Sequence, residues 1–154
     1  MNVVYINAFI EASINVLKVM AFINAREGKP YLKQDLAARG DFSGVITFSG
    51  SVTGSLALSF SRSCISQILS NMLGEDQLST TMIENAAGEL TNMISGDARK
   101  RLQSLNLVIY AGIPVVFSGQ DHLIKHALDG PSIIIPFETD YGDFFVDVNI
   151  KDVK

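Results

Sequence analysis

The segment DFSGVITFSGSVTGSLALSFS, Asp41–Ser61, decides the fold class. Two runs of alternating residues meet at Gly50-Ser51. In the second run Leu56, Leu58 and Phe60 point one way, and Ser55, Ala57 and Ser59 the other. Period two over this length, broken by Gly44, Gly50 and Gly54, predicts an antiparallel hairpin with one buried face. The period then changes. Ile65, Ile68, Leu69, Met72 and Leu73 recur at helical spacing over 62–73, and Gly74 closes that helix.

Before the hairpin, residues 5–23 form an amphipathic pattern. Asn7, Glu11, Asn15 and Lys18 share one face, opposite Ile6, Phe9, Ile10, Ile14, Leu17 and Met20. Glu27-Gly28-Lys29-Pro30 ends it, and residues 31–37 suit a short strand. After the hairpin, residues 81–104 carry the longest helical pattern, opened by a capping box of Thr81 and Glu84. A strand at 107–118 follows, then a polar segment with a short helix at 119–129. Ser132–Phe137 forms a strand in which Pro136 marks an edge or bulge. Asp143–Ile150 alternates cleanly, with Phe144, Val146, Val148 and Ile150 on one face, joined through a Tyr141-Gly142 turn. The order implies an α+β domain over residues 1–154, with helices packed on one side of an antiparallel sheet. A shift of 73 residues lays Ile10, Glu11, Leu17 and Met20 on Ile83, Glu84, Leu90 and Met93, which suggests pseudo-duplicated halves.

Composition narrows the function classes. The 154 residues are 47% hydrophobic and 18% charged, with a net charge of −4. A chain of this size buries enough surface to fold without disulfides or metal. The acidic balance argues against nucleic acid or an anionic membrane as partner. Cys64 is the one cysteine, so no intrachain disulfide forms, and a reducing, cytoplasmic setting fits. The N-terminal stretch has no basic leader or small-residue cleavage site. Its four polar residues speak against a membrane span.

The chemistry concentrates on the long helix. At 100° per residue, Asn85, Glu89, Asn92, Gly96 and Arg99 share one narrow arc, opposite Ile83, Ala87, Leu90 and Ile94. Ala86, Gly88, Ser95 and Gly96 beside that arc are all small. Periodicity alone favours a plain reading, a solvated helix face with glycine tolerated for packing. The competing reading is a face that another protein or ligand can approach closely.

The run Glu84-Asn-Ala-Ala-Gly-Glu89-Leu-Thr-Asn92-Met-Ile-Ser-Gly96-Asp-Ala resembles the signature helix of the CheX branch of the CheC/CheX/FliY chemotaxis phosphatases. That family's motif is Glu-x-x-Asn on an exposed helix, here Glu89 and Asn92. The resemblance extends to the apolar first helix, the hairpin from Gly44 to Phe60 and the tail Ile133-Ile-Ile-Pro136-Phe…Gly142-Asp-Phe-Phe-Val. There are two departures. The family usually has Asp or Ser where this chain has Asn85. CheC-type members carry a second motif on the first helix, where the shifted positions here are Val16 and Val19. One active site is therefore expected.

The resemblance implies a hydrolase acting on the aspartyl phosphate of a phosphorylated CheY-like response regulator. Asn92 would orient the attacking water, as a carboxamide does in GTPases. Glu89 would pair with the regulator's Lys, and Asn85, Gly88, Gly96 and Arg99 would form the docking surface. Mg²⁺ would belong to the regulator, with no metal or cofactor held by this chain. A homodimer is implied, paired through a sheet edge. The rival reading is a non-catalytic module of the same fold that binds a regulator or dimerises. A ligand sensor with an apolar pocket is a third.

Other signals carry less. His122 and His126 are spaced i, i+4, but lack a zincin's intervening Glu, so a surface or loop role is expected. Asp121 nearby makes a Ser–His–Asp triad imaginable, without a nucleophile elbow. The glycines of 38–54 match no phosphate-binding loop and read as hairpin turns. Cys64 reads as core.

Overall fold

A computed structural model of the chain describes residues 2–153. The ends of the expected span, Met1 and Lys154, lie outside the described residues. The Asn2 side chain caps α1 (Val3–Ala21) by accepting from Val4 N. Strands β1 (Arg26–Glu27) and β2 (Tyr31–Lys33) follow, then the hairpin β3 (Phe42–Gly50) and β4 (Val52–Phe60). Ser61 caps α2 (Arg62–Leu73), which ends on left-handed Gly74. Then come α3 (Thr80–Gln103), β5 (Ile109–Ala111), β6 (Val115–Ser118), β7 (Ser132–Thr139) and β8 (Gly142–Asp152).

The strands form one antiparallel sheet in the order β1-β7-β8-β4-β3-β5, with β2 joining β7 and β6 joining β3. The hairpin register pairs Ile46 with Leu56 and Val45 with Ala57. Leu56, Leu58, Phe60, Phe144, Val146 and Val148 are fully buried in a core shared with Phe9, Ala12 and Leu17 of α1 and Ile83, Ala87, Leu90 and Ile94 of α3. Phe144 stacks between Phe60 and Phe137 at centroid distances of 5.5 and 4.6 Å. Burying each such side chain contributes about 1.5–3 kcal/mol. By length and composition α1 could cross a membrane, but the face carrying Tyr5, Ala8, Phe9, Ala12, Val16 and Leu17 packs into this core. Cys64 sits there too, and burial pushes its thiol up to about 11.

Five local expectations change. First, the hairpin is buried on both faces: Ser55, Ala57 and Ser59 are as enclosed as Leu56 and Leu58. The segment at 119–131 lies over them, with Ile124 packed against Val45 and Ala57, and it contains no helix. Second, the strand at 107–118 is two strands separated by Gly112-Ile113-Pro114, because β5 and β6 pair with different ends of β3. Third, Ser79 caps α3, accepting from Met82 N at 3.2 Å. Glu84 is drawn instead to the Ser118 hydroxyl, 2.6 Å away. Fourth, Pro136 lies inside the sheet, where β1 and β2 pair with β7 on either side of it. Its missing N–H falls in the gap between those two short ladders, so no ladder bond is lost. Fifth, of residues 31–37 only Tyr31–Lys33 forms strand.

Candidate functional site

The site is built on α3. Its inward stripe is sunk into the sheet, and the closest approach is at Gly44 of β3. A Cβ at Gly44 would stand 2.1 Å from Thr91 Oγ1 and 2.9 Å from the Ala87 carbonyl oxygen. Thr91 donates to that same carbonyl at 2.7 Å, so the contact is fixed from both sides. Gly44 thereby sets the height of the turn that carries Glu89 and Asn92. Gly44→Ala is expected to lower unfolding stability in a denaturant titration by about 1–3 kcal/mol, the range for overpacking.

Both flanks of α3 are pinned. On one side Asn15 of α1 donates to Asp97 at 2.8 Å. Arg101 binds Asp97 at 2.5 Å and Glu11 at 3.2 Å. On the other side the Glu84–Ser118 bond and the packing of Gly88 under Val116 hold α3 to β6. Between these flanks Asn85, Glu89 and Asn92 are exposed, and Gly96 and Arg99 are half-exposed. The side chains of Asn85, Glu89 and Asn92 make no hydrogen bond or ion pair among the described residues. A carboxylate and a carboxamide one turn apart thus face outward on a rigid helix, with Cβ atoms about 5–6 Å apart.

Gly88 does not belong to this outer strip. It is buried, and a Cβ there would meet Val116 Cγ2 at 3.0 Å. Its small size serves the packing of α3 on β6, as that of Ala86 and Ser95 serves packing on their own sides. Gly96 differs: a Cβ there would meet only Arg99 Nη2, at 3.9 Å. The expected docking strip therefore reduces to Asn85, Gly96 and Arg99 around the motif pair. The sequence pattern does not assign Gly44 to the site, although a glycine inside a strand signals close backbone approach.

The family model described as "Chemotaxis phosphatase CheX" matches residues 42–138, a span holding the hairpin, all of α3 and the strip. The chain belongs to the CheX family. It is similar to the CheY-P phosphatase CheX of Thermotoga maritima, with 30% identity over 123 residues that cover 78% of this chain and 79% of that protein. Among solved structures it resembles a CheC-like superfamily protein from Shewanella sp. PV-4, with 38% identity, a TM-score of 0.87 and coverage of 98% and 99% of the two chains. It also resembles the chemotaxis protein CheX from Desulfovibrio desulfuricans, with 36% identity, a TM-score of 0.87 and coverage of 96% and 99%. The α+β architecture with an antiparallel sheet is thus that of the CheC/CheX fold.

Within this CheX-family chain the two histidines sit on the sheet face away from the helices, and neither lies on a helix. His122 Nδ1 donates to the Gly119 carbonyl at 2.8 Å, and Nε2 is 2.7 Å from Ser43 Oγ. His126 bridges Ser55 and Asp147 at 2.7 Å each. Lys33 Nζ donates to the other Asp147 oxygen at 2.6 Å, and both of these side chains are 1% exposed. Burial alone would push Asp147 upward. The His126 hydrogen bond and field, with the Lys33 and Ser132 bonds, outweigh it and hold the carboxyl below its ordinary range. Ser55, His126 and Asp147 sit in series, but the ring is reversed relative to a hydrolytic triad, with Nδ1 on Ser55 and Nε2 on Asp147, and Ser55 is fully enclosed and accepts from Ala127 N at 3.0 Å. The network fastens the 119–131 segment to the sheet. Among the described residues no His, Cys, Asp and Glu group of three or more is arranged to hold a metal.

Proposed function

We propose that this chain hydrolyses the aspartyl phosphate of a CheY-like response regulator in the cytoplasm, and that Glu89 and Asn92 are the side chains that act on it. The observation that supports this most is the pair itself. Two polar side chains without internal partners project from a helix held on both flanks and from beneath. The printed name of the Thermotoga maritima relative, a CheY-P phosphatase, agrees with it.

The chemistry asks little of the chain. Water attacks phosphorus in line, the bond from phosphorus to the aspartyl oxygen breaks, and the aspartate leaves as carboxylate. Asn92 Oδ1 accepts a hydrogen bond from the attacking water, while Nδ2 donates to a phosphoryl oxygen, so one carboxamide aligns nucleophile and target. Glu89 forms a charge-assisted bond to the regulator's Lys and fixes register. Mg²⁺ carried by the regulator would supply charge neutralisation at the phosphoryl group. Arg99 and Asn85 border the contact, and Gly96 leaves room for the partner's backbone.

The experiment mixes catalytic amounts of the chain with a phosphorylated CheY-like regulator and follows inorganic phosphate. Many turnovers per chain are expected. Tight binding with unchanged decay would select the non-catalytic module instead. Glu89→Ala is expected to lower kcat/KM about 10- to 100-fold in this assay, the worth of one charge-assisted bond. The homodimer belongs to the same proposal. The β6 end of the exposed edge presents Ile113, Val115 and Phe117, and pairing two such ends would cover them.

A further inference from the structure

Response regulators share an acyl-phosphate centre, so Glu89 and Asn92 alone do not separate one regulator from another. Discrimination has to come from surface continuous with the strip. Two clefts touch the strip at Gly96, and one of them also contains Arg99. That one has a volume of about 320 Å³ and lies between the C-terminal half of α3 and β5, where Gly96, Arg99, Lys100, Gln103 and Tyr110 line it. Gly96 belongs both to this cleft and to the strip, and stands about 6 Å along the helix axis from Asn92.

The cleft brings two cations together in a chain whose net charge is −4. Arg26, Lys33, Arg39 and Arg101 each have a carboxylate partner, whereas Arg99 and Lys100, like Lys18, Lys29, Arg62, Lys125 and Lys151, have none among the described residues. Arg99 Nε is held by Ser95 Oγ at 3.2 Å, and Ser95 is fully buried. That bond orients the guanidinium and leaves the Nη1/Nη2 edge free. Nη2 lies 3.9 Å from where a Gly96 Cβ would be, so the fork is folded back toward Asn92. A preoriented guanidinium with its outer edge unfilled suits bidentate binding of a carboxylate. Lys100 adds a second cation, and Tyr110, 63% exposed, closes the far wall.

We propose that this cleft receives an acidic side chain of the phosphorylated regulator, gripped by Arg99 and Lys100, and that this contact selects the regulator. The assignment rests on the phosphatase reading above. It places the regulator's carboxylate about 6–10 Å from its acyl phosphate, the spacing along α3 from Asn92 to Gly96 and Arg99.

The test uses the phosphorylated CheY-like regulator whose decay the wild-type chain accelerates. With Arg99→Glu/Lys100→Glu, KM is expected to rise about 10- to 100-fold while kcat changes less than about twofold, as for lost binding outside the reacting centre. Arg99→Gln/Lys100→Gln should give an intermediate KM, and the difference from wild type should shrink at high salt. Replacing one acidic residue of the regulator by Lys should restore the charge-reversed chain. An unchanged KM, or a fall in kcat as large as the rise in KM, overturns the assignment. A changed sedimentation coefficient also overturns it, because the cleft then belongs to a second copy of this chain. A wild-type chain that leaves phosphate decay unaltered defeats the phosphatase reading itself, and this assignment with it.

Discussion

Asn92→Ala is expected to remove nearly all stimulated dephosphorylation while regulator binding survives. The side chain is exposed and makes no internal hydrogen bond among the described residues, so its loss costs the fold little. In the reaction it serves twice, accepting from water and donating to the phosphoryl group. Removing one preorganised donor at a developing charge lowers a rate by about 10²- to 10³-fold. Here the loss of water alignment adds to that. Paired measurements check it: kcat by phosphate release, and Kd by titration of the chain into a stably activated regulator. A variant with wild-type kcat removes Asn92 from the mechanism. Asn92→Asp separates the two roles, because it keeps an acceptor, loses the donor and sets a like charge against the phosphate.

The second large effect lies on the other face of the sheet. Lys33→Met is expected to destabilise the chain by about 3 kcal/mol in a denaturant titration. Asp147 would keep His126 and Ser132 but lose its full cationic partner in a site 1% exposed. Breaking a buried pair from one side costs about 3–5 kcal/mol, and the surviving donors place this case at the low end. Lys33→Met/Asp147→Asn should recover at least half of the loss, because the stranded charge is then gone. Acid tests the same site. Asp147 is held below the ordinary carboxylate value of about 3.9. Its contribution is therefore complete above that value and is lost as pH falls through the lower folded pKa. Asp147→Asn should flatten the fall of stability with acid below about pH 4. An unchanged slope would mean that Asp147 titrates normally.

How far these features could be read from sequence followed the range of the interactions that make them. Helix α2 came out with its true ends, because Ser61 and Gly74 act on their own neighbours. The hairpin's pairing was legible from alternation, but the enclosure of its Ser55–Ser59 face was not. That face is covered by a segment with little apolar character, fastened by histidines 71 and 79 residues away in the chain. The cap of α3 was misplaced for a related reason. Glu84 has a local partner in Thr81 on paper, and Ser118 wins it across 34 residues. At the site, period 3.6 was enough to bring Asn85, Glu89 and Asn92 onto one exposed face. It placed Gly88 only beside that face and could not show that β6 covers it, while Gly96 meets only the Arg99 guanidinium. Arg99 was legible as a member of the arc, whereas its preorientation by Ser95 and the cleft beside it needed the fold.

The most direct test of the central claim is a single-turnover decay of phosphorylated regulator with the chain in saturating excess, where binding no longer limits the rate. If Glu89 and Asn92 act on the acyl phosphate, wild-type chain shortens the lifetime at least about tenfold, and Asn92→Ala at equal saturation returns it to the spontaneous value. A lifetime the same with saturating wild-type chain as with none would contradict it.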